Sequence, residues 1–289
     1  MTPGLTVLEV QPGILAFWQG RDGLRFAEGE NWVDDGALSL GIASYALTAG
    51  DRGIVYDTHV SPAHGRAIRA ELERRGVRHM TVVLSHWHLD HVAGTEAFAD
   101  CEIIANPRTL AHLQAHKAGI EDGSFHGAPA ICPLILPERI FDGRLVLELG
   151  GARVELLTAN IHSDDATVIW LPERRVLLAG DTVEDCVTWV SEPEGFAAHL
   201  ADLARLAALG TGRMLPNHGS PEVIAAGGYG PGLLTATADY IRRLQASGGD
   251  PGLTMAEAMA PHLDNGTLRW FAPYEAVHAQ NLARVAALT

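Results

Sequence analysis

Short apolar runs separated by glycine-containing turns dominate the first sixty residues of this chain. They form two pairs, residues 5–10 with 14–18 and residues 41–48 with 53–57, and a glycine lies between the members of each pair. Apolar runs of about four to eight residues on both sides of such turns are typical of β-hairpins. The pattern therefore predicts an antiparallel sheet at the start of the chain.

A helix and a buried strand are predicted to follow this sheet. Residues 62–75 have helical spacing, with Ser61 placed to cap the helix and Gly76 to end it. Residues 77–84 end in an apolar run that is typical of a buried strand. Next we expect a strand at 101–105, a helix at 107–117, and a long surface loop at 119–138 that could border a pocket.

The second half of the chain repeats this alternation and then becomes helical. Apolar runs at 144–149 and 152–158 flank two glycines and predict another hairpin. The other predicted elements are strands at 167–171, 175–179 and 213–215, and helices at 193–209, 233–244, 255–263 and 274–288. We predict one domain over residues 1–226, with residues 227–289 as a helical extension packed on it.

Composition and charge narrow the class of protein. A chain of 289 residues with 47% hydrophobic residues has the length of one large globular domain or two small ones. It has neither an apolar run of about 20 residues nor the features of a secretion signal at its start, so we expect a cytoplasmic protein without membrane contact. A formal net charge of −14 without a compensating basic cluster argues against nucleic acid as a partner. The three cysteines lie in unrelated contexts, which favours free thiols over a disulfide framework.

Three histidines and an aspartate follow the strand at 77–84 within the six residues His86-Trp87-His88-Leu89-Asp90-His91. In an extended segment, residues two apart face the same way, so His86 and His88 can share one ion. The adjacent Asp90 and His91 must diverge, which suits a second ion. A histidine and carboxylate set without cysteine is typical of catalytic zinc sites that keep a position open for water. A histidine-rich surface loop is the alternative interpretation.

Further candidate ligands follow other predicted strands. They are His162 in a predicted polar loop at 159–165, Asp181 after the strand at 175–179, and His218 after the strand at 213–215. Asp57 ends its own strand and could support the histidine segment, although a turn-forming aspartate is an equal alternative. His112 and His116 are four residues apart on a predicted helix and could pair on a metal, but such residues are more often solvated.

The order His86-x-His88-x-Asp90-His91, His162, Asp181, His218 resembles the metallo-β-lactamase superfamily over about residues 5–225. The resemblance implies an α+β fold, a four-layer αββα sandwich with its site at one edge, here followed by the helical extension. It also implies a ligand set for two metals: His86, His88 and His162 on the first, Asp90, His91 and His218 on the second, and Asp181 bridging both.

Two departures from the family pattern bear on the activity. Ser163-Asp164-Asp165 follows His162 where many members have Thr-Pro-Gly. Asp181 occupies the bridging position, where the best-known β-lactam-hydrolysing subclass has cysteine, so the chain is more similar to glyoxalase II or the lactonases. The segment between Asp181 and His218 lacks a tyrosine of the kind that lactonases use, which counts against a lactonase.

The resemblance implies a zinc-dependent metallohydrolase with two Zn2+ ions per chain, Fe or Mn being alternative metals. Two adjacent ions share a water and lower its pKa towards neutrality, so a bridging hydroxide could attack an ester, thioester, lactone or amide of a small molecule. Asp90 is then the expected proton carrier to the leaving group. Three alternatives stay open: a weak β-lactamase or phosphodiesterase, a non-haem iron oxidoreductase, and a non-catalytic binding module. The iron alternative is disfavoured because the diiron members resemble His-x-Glu-x-Asp, and position 88 is a histidine.

Charge and aromatic residues give an expectation about the substrate. Asp164 and Asp165 lie beside His162 in the sequence and should disfavour an anionic substrate. The loop at 119–138, together with Trp270 and Phe271, could form an apolar wall for an acyl chain, although packing in the core is the other interpretation of these rings. We therefore expect an uncharged or cationic substrate of the ester or lactone type.

Overall fold

A computed structural model describes residues 4–288 of the chain, and it begins with a seven-stranded sheet. The strands are adjacent in sequence order: β1 (Thr6–Gln11), β2 (Ile14–Gln19), β3 (Ile42–Ala49), β4 (Arg52–Tyr56), β5 (His79–Val83), β6 (Glu102–Ala105) and β7 (Arg139–Ile140). β1 to β4 pair antiparallel, which confirms the two predicted hairpins. β4 to β7 pair parallel, so the carboxyl ends of β4 and β5 lie at the same edge.

A second sheet contains five strands. They are β8 (Arg144–Leu149), β9 (Ala152–Ile161), β10 (Ser163–Leu171), β11 (Val176–Gly180) and β12 (Arg213–Pro216), and the spatial order is β12-β11-β10-β9-β8. Neighbours are antiparallel except β11 and β12, which pair parallel and therefore end at one edge. The loops after β11 and β12 are thus neighbours in space.

Eight α-helices connect and cover the sheets in the described part of the chain. They are α1 (Pro62–Arg74), α2 (Leu89–Val92), α3 (Pro107–Asp122), α4 (Phe196–Ala207), α5 (Pro221–Ala225), α6 (Gly232–Ser247), α7 (Met255–Asp264) and α8 (Tyr274–Ala286). Ser61 caps α1 by accepting a hydrogen bond from the backbone N–H of His64, as the sequence predicts. Within residues 4–288, none of these helices is both long and apolar enough to cross a membrane.

Strand β2 shows why the molecule has four layers. Every residue of β2 is buried, because both faces of its sheet are covered. Leu15 and Phe17 point to one side and pack in a cluster with Ile68 of α1. Ile14 and Ala16 point to the other side and belong to a cluster that includes residues of the second sheet. With α4 packed on β9, this arrangement confirms the predicted αββα sandwich.

The C-terminal helices pack on the sandwich through α4 and through the segment after β11. Helix α6 contacts α4, and Tyr274 at the start of α8 donates a hydrogen bond to Glu184. Asn281 of α8 is fully buried and bonds the backbone of Thr188 and Val190. These contacts lead us to propose that residues 227–288 extend the first domain and do not form a separate unit.

The segment around His162 differs from the predicted loop at 159–165. Strands β9 and β10 continue to His162 from both sides, and His162 alone forms the turn, with a positive φ of 69°. The polar residues fit in strands because they have partners: Asp165 accepts a hydrogen bond from Ser163, and the backbone N–H of Asn160 donates to Asp202 of α4. Polarity alone therefore led to the wrong prediction of a loop here.

Helix α3 is longer than predicted, and several short elements, among them β7 and α2, were not predicted. Gly119 interrupts the helical pattern, but Phe125 packs close to it and the helix continues to Asp122 before Gly123 ends it with a φ of 80°. A π-helix at Val33–Leu38 and helix α5 had no prediction. The π-helix matters for function, because residues beside it line the pocket described below.

We expect Asn281→Ala to lower the free energy of unfolding by about 2–4 kcal/mol, because it leaves the buried N–H of Val190 and the buried carbonyl of Thr188 without partners. Urea denaturation followed by circular dichroism measures the change. Gln280→Ala, at an exposed position of the same helix, is the matched control and should have little effect. Equal stabilities for the two variants would show that α8 is not held through Asn281.

Candidate metal centre

All seven predicted site residues lie together at one edge of the sandwich. His86 and His88 follow β5, Asp90 and His91 lie on α2, His162 forms the turn between β9 and β10, Asp181 follows β11, and His218 follows β12. The backbone N–H of Asn217 donates to the carbonyl of Gly180 at 2.9 Å, which holds the last two segments side by side. Both sheets therefore contribute to a single cluster.

Asp181 is at the centre of this cluster. Its Oδ2 atom lies 3.1 Å from Nε2 of His91 and 3.5 Å from Nε2 of His218. The same oxygen is 3.7 Å from Nε2 of His86 and 3.8 Å from Nε2 of His162. One carboxylate oxygen thus faces four imidazoles that come from three separate segments.

The other side chains form two groups around Asp181. The candidate ligand atoms of His86, His88 and His162 all lie within 4.8 Å of one another, and so do those of Asp90, His91 and His218. These are the two sets that the family resemblance implies. Each group is compact enough to surround one ion, and Asp181 is adjacent to both.

Four of the five histidines have an outer hydrogen-bond partner that turns Nε2 inwards. The partners of their Nδ1 atoms are Ser85 Oγ for His86, Asp57 Oδ2 for His91, the carbonyl of Trp189 for His162, and the carbonyl of Gly41 for His218. A carbonyl or carboxylate on one ring nitrogen fixes the tautomer and leaves the other nitrogen free to bind a metal. His88 has the opposite orientation, with Nδ1 directed at Nε2 of His162 at 3.0 Å.

Asp57 supports the histidine segment, which is one of the two roles that the sequence predicts for it. It is fully buried at the end of β4, in a left-handed conformation with a φ of 65°. Its Oδ2 accepts a hydrogen bond from Asn217 at 2.6 Å and lies 3.0 Å from His91 Nδ1, while Oδ1 accepts from the backbone N–H of Ser85 at 2.7 Å. Asp57 therefore links the loops after β4, β5 and β12.

The first group is composed of neutral imidazoles. Burial, reinforced by neighbouring imidazoles, lowers the pKa of His86 well below its usual range and that of His88 to about 3. Burial also lowers the pKa of His162 to about 4. Neutral imidazoles have a free lone pair at pH 7, which metal binding requires.

The second group attracts positive charge. Burial disfavours protonation of His218, but the carboxylates of Asp181 and Asp90 outweigh that effect and raise its pKa to about 9. The same balance raises the pKa of His91 well above its usual range. Two buried carboxylates thus create a negative potential that a cation would neutralise.

Some of the candidate ligand atoms are buried and have no hydrogen-bond partner, which is the condition expected of atoms that bind a metal. Among residues 4–288, Nε2 of His86, Nε2 of His91 and Oδ1 of Asp181 are buried without a hydrogen-bond partner. Buried polar atoms are normally paired, and unpaired ones cost free energy. The two Nε2 atoms face Oδ2 of Asp181 within the cluster, where nitrogen and oxygen ligands match the preferences of zinc.

A pocket of about 580 Å³ opens onto this cluster. Asp90, His162, Asp181 and His218 form its base. Its walls are largely apolar: they include Trp32 and Leu40 on either side of the π-helix, Trp87 between the two histidines, Phe125, and Trp189. The predicted border at 119–138 is present through Phe125 and His126.

Of the two interpretations of Trp270 and Phe271, the pocket wall is not what the structure shows. Neither residue lines the pocket: Trp270 is exposed, and Phe271 packs against the core and under the guanidinium of Arg21 at 4.0 Å. The C-terminal extension contributes Arg284 instead, which lies 5.1 Å from the Trp189 ring.

The acidic pair after His162 is not part of the pocket lining. Asp164 contacts His112, which does line the pocket, with Nε2 to Oδ1 at 2.8 Å, and Asp165 is buried beside Ser163. The expectation that this pair disfavours an anionic substrate stays a prediction. His112 and His116 do not join the ligand cluster as a metal-binding pair. Both of their rings stack on Trp87.

Glu184 is a site residue that the sequence analysis missed. It is buried, lines the pocket, and lies 3.7 Å from Nδ1 of His162. It accepts hydrogen bonds from Tyr274 and from the backbone N–H of Trp189, and burial together with the charge of Asp181 raises its pKa to about 7. The available signal was a second acidic residue three positions after Asp181.

Comparison with known proteins agrees with this geometry. Residues 40–218 match a family model described as the metallo-β-lactamase superfamily. A metallo-β-lactamase from Pontibacter korlensis has a similar structure, with a TM-score of 0.62 and 14% sequence identity over 82% of this chain and 99% of that one. At that identity, the similarity concerns the fold.

Two curated relatives are similar in sequence. A β-lactamase-like protein 2 homolog of Caenorhabditis elegans is 25% identical over 62% of this chain and 56% of its own length. An atrochrysone carboxyl ACP thioesterase of Aspergillus fumigatus is 26% identical over 62% of this chain and 51% of its own length. The chain thus spans only about half the length of these relatives.

We expect Asp57→Asn to weaken zinc binding by about 10–100-fold, the usual effect of losing an outer partner of a ligating histidine. Asparagine tolerates the left-handed backbone of this position but would place an amide against His91 or Asn217. Competition with a chromophoric chelator measures the affinity. Asp51→Asn removes the same charge at an exposed position and is the control. Equal affinities for both variants would mean that Asp57 does not orient His91.

Proposed function

Because the chain belongs to the metallo-β-lactamase superfamily, we propose that it is a zinc-dependent hydrolase of a small molecule with an ester, thioester, lactone or amide bond. The observation that carries the proposal is the cluster of seven histidine and aspartate side chains, in which three buried atoms have no hydrogen-bond partner. A cluster without an ion would leave these atoms unsatisfied. Its position at the base of a pocket gives a substrate access to it.

The cluster has donors for two ions. In this proposal His86, His88 and His162 would hold the first ion, Asp90, His91 and His218 would hold the second, and Asp181, adjacent to both groups, would contribute to each. When bound, two zinc ions supply Lewis acidity and a water of lowered pKa. The nitrogen-rich set favours zinc over magnesium or calcium, which prefer oxygen ligands.

Asp90 is the residue that we propose as the proton carrier. Its side chain is 18% exposed and lines the pocket, whereas Asp181 is 4% exposed. His91 and His218 hold its two oxygens from the protein side at 3.5 and 3.3 Å. Asp90 can therefore receive a proton at the cluster and pass it to the leaving group of a substrate in the pocket.

The relatives give modest support to an acyl substrate. The Aspergillus fumigatus relative is named as an ACP thioesterase, and the bond that a thioesterase cleaves is an acyl thioester. The apolar walls of the pocket suit an acyl group as well. Among the bonds considered, we therefore regard a thioester as the first to test.

We expect the zinc-replete protein to hold two ions per chain and His218→Ala to hold one, because the first group stays complete in the variant. Elemental analysis after gel filtration counts the ions. His79→Ala, at an exposed position of β5, is the control and should retain both. A single ion in the unchanged protein would overturn the dinuclear proposal.

We expect Asp90→Asn to lower kcat on a thioester by about 100-fold or more while at least one zinc ion is retained, since the amide keeps an oxygen ligand but cannot carry the proton. Activity that survives nearly intact would assign the proton transfer to another group.

The same assay on a lactone, a cephalosporin and an aryl phosphodiester defines the bond. We expect the thioester or lactone to have the highest kcat/KM. A cephalosporin preferred by about tenfold, equivalent to about 1.4 kcal/mol, would make the protein a β-lactamase.

A further inference from the structure

We propose that the pocket selects an acyl group with a flat aromatic ring, and that Trp87 is the residue that recognises the ring. This inference rests on the proposed hydrolase function and specifies its substrate class. It starts from an unusual concentration of rings: three of the six tryptophans of the chain, Trp32, Trp87 and Trp189, line the pocket above the metal cluster.

These rings are large apolar surfaces that the protein leaves partly uncovered. Trp32, Trp87, Trp189 and Phe125 are each half-buried and keep part of their ring surface accessible. A contiguous apolar surface of this kind, bordered by polar groups, is typical of a ligand site. An acyl group in the pocket would bury it.

The stack around Trp87 is rigid. Its ring centroid lies 5.0 Å from that of His112 and 5.1 Å from that of His116, with interplanar angles of 24° and 22°. Phe125 approaches from another direction at 5.6 Å. His112 is itself held at Nε2 by Asp164, which restricts rotation of the His112 ring and of the Trp87 ring stacked on it. A rigid ring loses little entropy when it binds a ligand.

This rigidity favours a flat partner over a flexible one. An aromatic ring can continue the stack or meet its edge at the usual centroid spacing of about 4.5–7 Å, and such contacts add to the effect of burial. An alkyl chain gains burial alone and has to be ordered on binding. The surface therefore discriminates by shape and not only by hydrophobicity.

The position of Trp87 defines where the ring of the substrate lies. Trp87 is between His86 and His88 in the sequence, and its ring centroid is 5.5 Å from that of His88. A ring that contacts Trp87 is therefore close to the bond that reacts at the cluster. This favours an arylacetyl or similar group, with the ring one or two bonds from the carbonyl, over a ring at the end of a long chain.

The test compares thioesters of one thiol that differ only in the acyl group: acetyl, hexanoyl and 2-naphthylacetyl. We expect the zinc-loaded protein to prefer 2-naphthylacetyl over hexanoyl by about tenfold in kcat/KM. Trp87→Leu should remove this preference by lowering kcat/KM for 2-naphthylacetyl about tenfold more than for hexanoyl or acetyl, whereas Trp87→Phe, which retains a ring, should keep most of the preference. Trp270→Leu, which removes an exposed tryptophan outside the pocket, is the control.

Two results would overturn the proposal: equal kcat/KM for hexanoyl and 2-naphthylacetyl, or an equal loss on all three substrates in Trp87→Leu, since that is the result of a disturbed metal cluster. A second measurement separates this proposal from the proposed function. If no thioester is hydrolysed, the thioester is excluded as the substrate bond, but calorimetric titration with 2-naphthylacetate and hexanoate still compares the two groups. Tighter binding of 2-naphthylacetate that is lost in Trp87→Leu supports the ring site, and equal binding refutes it.

Discussion

The burial of Asp181 is the constraint on which the arrangement of the site depends. A carboxylate that is 4% exposed needs positive charge or hydrogen-bond donors around it, and here four imidazoles lie within 3.8 Å of one of its oxygens. These imidazoles come from β5, α2, the β9–β10 turn and the end of β12. Because the chain must bring all four to one point, the two sheets have to meet at this edge.

The outer hydrogen bonds show how backbone geometry turns this constraint into a defined site. Nδ1 of His162 faces the carbonyl of Trp189, and Nδ1 of His218 faces the carbonyl of Gly41. Carbonyls of the sandwich itself thus determine which nitrogen of each ring faces inwards. Only His91 relies on a side chain with a charge, Asp57, and Asp57 is in turn fixed by Ser85 and Asn217. The fold therefore sets the orientation of the ligands before any ion is considered.

The fold and the set of clustered residues could be predicted because both leave local signals. Strand β2 and its neighbours are short apolar runs between turns, and the segment from His86 to His91 is rich in ligands within a few residues. The pocket walls could not be predicted in this way. Trp32 and Arg284 reach the pocket from opposite ends of the chain, and nothing in their local sequence indicates that they line the same pocket. The polar residues around His162 were wrongly predicted to form a loop for a related reason: their partners at the start of α3 and on α4 are distant in sequence.

The distance in sequence between the clustered residues has a consequence for the order of folding. His86 and His218 are separated by more than a hundred residues, and the cluster is complete only when β12 has paired with β11 and both sheets have docked. Contacts of such long range form slowly and late, because the intervening chain must be ordered first. A nascent chain therefore has the local His86 to His91 segment early, before the complete cluster exists. If the cluster holds two ions as proposed, loading of both would report completed folding, and an ion bound early would bias which loops dock on it.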